Sequence, residues 1–80
     1  MEKKTKELDP RIKLIAEKLQ KLRKDKGYSS YENFAFDNEI PRMQYWRLEN
    51  GTANFTITSL IKVLEIHKIS LSEFFRDIDK

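Results

Sequence analysis

The chain has no cysteine, so neither a disulfide framework nor a thiolate zinc site is open to it. Two glycines and two prolines in 80 residues leave few breaks and no linker rich in those residues. Long apolar runs are missing too, and a membrane-spanning helix needs roughly 20 apolar residues in succession. The opening Met1-Glu2-Lys3-Lys4-Thr5-Lys6-Glu7 lacks the apolar stretch of a secretory signal. These absences predict one small domain in a reducing, cytoplasmic compartment. A chain this short hides only about 60–65% of its unfolded surface. That is too little core to wall a deep enzyme pocket, and no enzymatic activity or cofactor is expected.

What the chain does have is charge, 36% of its residues, distributed unevenly around a net +3. Residues 1–26 carry ten Lys/Arg against five Asp/Glu, whereas residues 27–40 carry three acids, Glu32, Asp37 and Glu39, and no base. A basic amino end suits an anionic partner such as nucleic acid, and it equally describes a solvated helix face.

Five helices are predicted. Asp9-Pro10 is a natural helix opening, with Asp as N-cap and Pro at the first helical position. Ile12, Ile15, Ala16, Leu19 and Leu22 then share one helical face, Leu14 lies off it, and Gly27 ends the helix. Ser29 with Glu32 forms a capping box for a short helix from Tyr31 to about Asp37, with Ser30 as the alternative cap one residue later. Phe34 and Ala35 face inward on it. Pro41 starts a third helix that carries Tyr45 and Leu48 inward and closes at Asn50-Gly51. Thr56 caps a fourth whose inner face is expected to be Ile57, Leu60, Ile61 and Leu64. Ser70-Leu71-Ser72-Glu73 is a further capping box, opening a last helix with Leu71, Phe74, Phe75 and Ile78. Residues 1–8 read as a flexible basic tail and 9–80 as the domain.

Two short helices joined by a tight turn, the second ending in Leu48-Glu49-Asn50-Gly51, resemble the helix-turn-helix of Cro/C1-type bacterial repressors. The resemblance runs from about Ile12 to Phe75. It is carried by Leu22-Arg23, Lys26-Gly27, Phe34-Ala35, Ile40-Pro41-Arg42, Glu49-Asn50-Gly51 and Ser70-Leu71-Ser72-Glu73-Phe74-Phe75, in that order. It implies an all-α, five-helix domain of the lambda-repressor type. It also implies a sequence-specific regulator that binds double-stranded DNA as a homodimer on a palindromic operator, in the bacterial cytoplasm and at the nucleoid. At the turn, where the family pattern has a hydrophobic residue and glycine, this chain has Asn38 and Glu39. Asn38 is expected to take the left-handed conformation, shifting the turn by a residue. The loop after Gly51, often basic in the family, is Thr52-Ala53-Asn54 here.

In such a motif the start of the second helix enters the major groove. That surface is Arg42, Met43, Trp46 and Arg47. Arg42 and Arg47 are suited to the N7 and O6 of guanine and Met43 to a thymine methyl. Trp46 either meets the sugar-phosphate backbone or folds onto the protein. Phosphate contacts are expected from Ser30 and Tyr31 at the start of the scanning helix and from Asn50 after the reading face, while Gln44 beside that face is placed for a phosphate or an adenine. By the resemblance, Arg23 and Glu49 pair and lock the first helix to the recognition helix. Phe75 and Ile78 are expected to form the dimer interface, since the chain ends with little left to cover them. His67, the lone histidine, reads as a helix-terminal residue meeting the macrodipole, and no metal is expected. Two other readings stay open: the antitoxin of a toxin–antitoxin pair, with a toxin as partner, and a protein-interaction domain of this fold that has lost DNA binding.

Overall fold

The computed structural model describes residues 10–50, 55–76 and 78. The basic tail, Asp9, Gly51 and the uncharged Thr52-Ala53-Asn54 lie outside the described residues. Five helices follow one another: α1 (Pro10–Asp25), α2 (Tyr31–Asp37), α3 (Arg42–Glu49), α4 (Ile57–His67) and α5 (Leu71–Arg76). There is no strand among the described residues, so the fold is all-α.

Three helices, α2, α4 and α5, begin where a side chain meets their orphan amides, whereas α3 follows Pro41 without a side-chain cap. Ser30, rather than Ser29, caps α2, its Oγ accepting from the amides of Glu32 (3.1 Å) and Asn33 (3.3 Å). Thr56 Oγ1 accepts from the amide of Ser59 at 3.1 Å. At α5 the capping box closes both ways: Ser70 Oγ accepts from the Glu73 amide, and Glu73 Oε1 accepts from the Ser70 amide, each at 3.1 Å. Those bonds hold the Glu73 carboxyl below its ordinary pKa.

The helix ends are less predictable. Three of them close on a left-handed residue with paired backbone bonds, the Schellman arrangement. Gly27 supplies it after α1 (φ 100), but Glu39 (φ 58) supplies it after α2 and Lys68 (φ 60) after α4. After α2 the amides of Ile40 and Glu39 donate to the carbonyls of Ala35 (2.9 Å) and Phe36 (3.2 Å). Asn38 stays at φ −104, and its Nδ2 donates to the Phe34 carbonyl at 2.8 Å. The left-handed residue of the turn is therefore Glu39, not the expected Asn38. Asn38 serves as a side-chain cap instead, and the next position takes the strain.

The core joins all five helices and the turn: Ile15 and Leu19, Phe34 and Ala35, Ile40, Tyr45 and Leu48, Leu60, Val63 and Leu64, and Phe74 with Ile78. Each large apolar side chain removed from water stabilises the fold by about 1.5–3 kcal/mol. α3 packs on α1, α2 and α4, so the recognition helix is held from three sides. α4 is rotated from its expected face. It buries Ser59, Leu60, Val63 and Leu64, while Ile57 is 59% exposed and Ile61 36%. Serine can take an inner position here because its hydroxyl is bonded within the protein.

Candidate nucleic-acid interface

The inner side of α3 is anchored by a charged cluster. Arg23 of α1 donates to the Glu49 carboxylate through Nε (2.7 Å to Oε2) and Nη2 (3.1 Å to Oε1), and both residues are buried. Its third bond runs from Nη1 to the Tyr28 carbonyl at 2.9 Å, a backbone partner rather than a phosphate. Tyr45 donates its hydroxyl to Glu49 Oε2, and Gln20 Nε2 donates to the Glu49 carbonyl at 2.7 Å. A buried ion pair is tolerated when the geometry is bidentate and the remaining lone pairs are satisfied. The hydrogen bond to Glu49 raises the Arg23 pKa further, against the opposing effect of burial. Burial first, and then the bond to Glu49, push the Tyr45 phenol far up, so it remains a donor. Glu49 thus ends α3 under α1 at a fixed depth and rotation.

The outer side is different. Arg42, Met43 and Arg47 are exposed, and Trp46 is half-buried. Among the described residues the Arg47 side chain has no hydrogen bond or ion pair, and that of Arg42 has one loose partner, Glu32 of α2, with Nη1 and Oε2 3.6 Å apart. Pro41, Met43, Gln44, Arg47, Phe55 and Thr56 border a groove between α3 and the start of α4.

The four residues expected at the phosphates are placed as follows. Ser30 is occupied as the α2 cap, and the neighbouring Tyr31 is half-buried against the core. Gln44 turns to α4, its Nε2 donating to Ser59 Oγ, which lies 3.0 Å from Thr56 Oγ1. Asn50 is exposed, and its Nδ2 donates to the Trp46 carbonyl at 2.9 Å. Of the pair expected at a dimer interface, Phe75 is 39% exposed, whereas Ile78 is only 8% exposed and belongs to the monomer core. Ile78 therefore packs into the core of its own domain instead of facing outward.

His67 is the last residue of α4, as expected, but its surroundings disfavour the charged form. Its ring stacks on Phe34, centroids 5.3 Å apart and planes within 8°, and its Nε2 is buried without a hydrogen-bond partner. Burial first, and then the Lys26 charge, lower its pKa despite the opposing Glu49. It is a neutral core-edge ring, not a cation on the α4 dipole.

Sequence reasoning missed two hydrogen bonds that orient α3, Gln20 to Glu49 and Gln44 to Ser59, and the loose ion pair of Arg42 with Glu32. Gln20 had a visible signal, lying one turn before Arg23 on the same edge of α1. Ser59, a polar residue in the first turn of an apolar helix, gave a weaker one. The Glu32–Arg42 pairing depends on the angle between two helices, which spacing along the chain does not encode.

A short scanning helix, a Schellman turn and a second helix braced by a buried Arg–Glu pair constitute the Cro/C1-type helix-turn-helix, and the chain belongs to that family of DNA-binding transcriptional regulators. It is similar to control protein C.MunI of Mycoplasma sp, with 43% identity over 63 residues that cover 79% of this chain and 85% of that protein. No family model matches the chain. No solved structure matches it either.

Proposed function

We propose that this regulator acts as a homodimer on a palindromic operator, each subunit laying α3 in the major groove. The observation that carries the reading is the division of α3 into a bonded inner side and an outer side where Arg42, Met43 and Arg47 stand exposed. Arg42 and Arg47 read guanine through N7 and O6, and Met43 contacts a thymine methyl. Trp46 covers the sugar-phosphate edge. Ser30, Tyr31 and Asn50 lie at the phosphates, and Gln44 reaches one only by leaving Ser59. The regulatory act is occupancy of the operator, and no catalysis is assigned.

Dimerisation rests on Phe75, joined not by Ile78 but by Leu71 one turn before it, which is 41% exposed. Pairing across a two-fold axis covers this strip and sets two recognition helices about 34 Å apart, one DNA turn. The reading is tested by selecting bound sequences from a random DNA pool. It expects an inverted repeat with half-site centres about one helical turn apart. Recovery of no preferred sequence, or of a single unrepeated site carrying one chain, overturns it.

A further inference from the structure

The geometry points to Glu32 as a specificity-determining residue, one that keeps Arg42 off the phosphates of non-cognate DNA. The inference rests on the proposed reading of α3 and adds a residue of α2 to it. Arg42 borders a hollow between α2 and the start of α3, together with Glu32, Asn33, Phe36 and Ile40. There its guanidinium lies 3.6 Å from the Glu32 carboxylate, and both side chains are more than half exposed. The other two acids of the stretch 27–40 are placed differently. Asp37 accepts from the Tyr28 hydroxyl at 2.9 Å, and Glu39 forms the turn. Arg47, the second reading arginine, has no carboxylate partner among the described residues. One of two equivalent cations is thus countercharged and the other is not.

The consequence follows from what each kind of DNA contact tolerates. A guanine edge offers two neutral acceptors, N7 and O6. A guanidinium has five N–H donors, so Arg42 can take both acceptors while another donor remains toward Glu32. The carboxylate then holds the plane of the fork, and its repulsion of the phosphate at Ser30 and Tyr31 is common to the specific and the non-specific complex. A phosphate is an anion. To reach one, Arg42 must either leave Glu32 or draw a second negative charge against the backbone. Exposed pairs are weak, so the discrimination is worth only a few-fold. It falls on the non-specific complex, where phosphate contacts supply nearly all of the affinity.

The test uses the full chain, with the sequence it selects from a random pool as specific probe and a scrambled duplex of equal length as non-specific probe. Both affinities are measured over a range of salt for wild type, Glu32→Gln, Arg42→Ala and the double variant. Glu32→Gln is expected to tighten non-specific binding by about 2- to 5-fold and to lower the specific-to-non-specific ratio by a similar factor. It should also steepen the non-specific salt dependence by about one phosphate's worth, a slope change near 0.9. On the Arg42→Ala background the same substitution should change neither quantity. A residue with only a structural role would weaken both complexes when replaced, the opposite direction. The inference is overturned if Glu32→Gln leaves the ratio unchanged, or if its effect persists without Arg42. If Arg42→Ala has no effect on the selected sequence while the wild-type chain still selects one, the placement of Arg42 fails, and this inference with it. A wild-type chain that selects no sequence refutes the reading of α3 itself.

Discussion

The two sides of α3 differ in almost every respect, although they interleave along the same eight residues. The inner side, Tyr45, Leu48 and Glu49, is buried, and its polar atoms are bonded to α1 or to each other. The outer side, Arg42, Met43 and Arg47, carries one loose ion pair among the described residues. A side chain that reads DNA must stay available, whereas the helix that carries it must not rock. The protein meets both demands by placing its well-made polar bonds on one side of the helix. Removing the inner bonds should therefore cost stability, and removing the outer side chains should cost discrimination.

The largest expected effect breaks the inner side. Glu49→Ala leaves Arg23 as an uncompensated buried cation and deprives Tyr45 of its acceptor, for an expected loss of about 3–5 kcal/mol in unfolding free energy. Replacing Arg23 and Glu49 together with apolar residues of similar volume should cost far less. Denaturant unfolding of both variants checks this. A Glu49→Ala protein within about 1 kcal/mol of wild type would make the cluster a solvated pair and remove the contrast between the two sides.

Next comes the outer side. Arg47→Ala is expected to cost about 1–3 kcal/mol of discrimination at one operator position. The same variant should unfold within about 0.5 kcal/mol of wild type, because the Arg47 side chain is exposed and makes no bond among the described residues. Competition binding against single-base operator variants, with an unfolding curve beside it, separates the two quantities. Equal losses in both would mean that Arg47 belongs to the fold.

The turn that sets the angle between α2 and α3 provides a third test, with an effect of opposite sign. Glu39 holds φ 58 without being glycine, which costs about 1–2 kcal/mol. Glu39→Gly should relieve part of that and raise stability by roughly 1 kcal/mol, less the added entropy of the unfolded chain. It should leave operator preference unchanged, since neither side of α3 is touched. A shift in base preference would show that the strained turn tunes how α3 sits in the groove.

This turn also marks where legibility in the sequence ended. The stripe Ile15, Ala16 and Leu19, the caps at Ser70 and Thr56, and the inward Phe34, Ala35, Tyr45 and Leu48 all followed from local periodicity or local bonding. Glu39 and Lys68 did not, because a left-handed closure is readable from sequence only when glycine marks it. The face of α4 was misjudged because an apolar-only stripe discounts Ser59, which burial tolerates once its hydroxyl is bonded. At the site, the identities on the outer side of α3 could be read from the motif. The partners Glu32, Gln20 and Ser59 come from other helices and emerge only when the helices are docked.

At neutral pH the smallest effect is expected at His67, which lies behind the inner side of α3. Its ring stacks on Phe34, and Phe34 packs on Tyr45 with centroids 4.9 Å apart. Burial, with Lys26 adding to it and Glu49 opposing, holds the His67 pKa below its ordinary value near 6.5. The unfolded chain therefore takes up this proton at a higher pH than the folded one. The contribution is complete above about pH 6.5 and is lost as pH falls through the lower, folded-state pKa. The Glu73 carboxyl, held below its own ordinary value, contributes stability that is present at neutral pH and is lost only in a more acidic window. His67→Phe keeps an aromatic ring against Phe34 and removes the titration. Denaturant midpoints measured at about pH 7.5, 6.5 and 5.5 should fall for wild type toward acid and stay flatter for the variant. Base preference measured on the folded protein should not move in either, since no outer residue of α3 is involved. Parallel pH profiles for the two proteins would mean that the stacked ring does not titrate in this window, and the inner side would then owe its stability to the Arg23–Glu49 cluster and apolar packing alone.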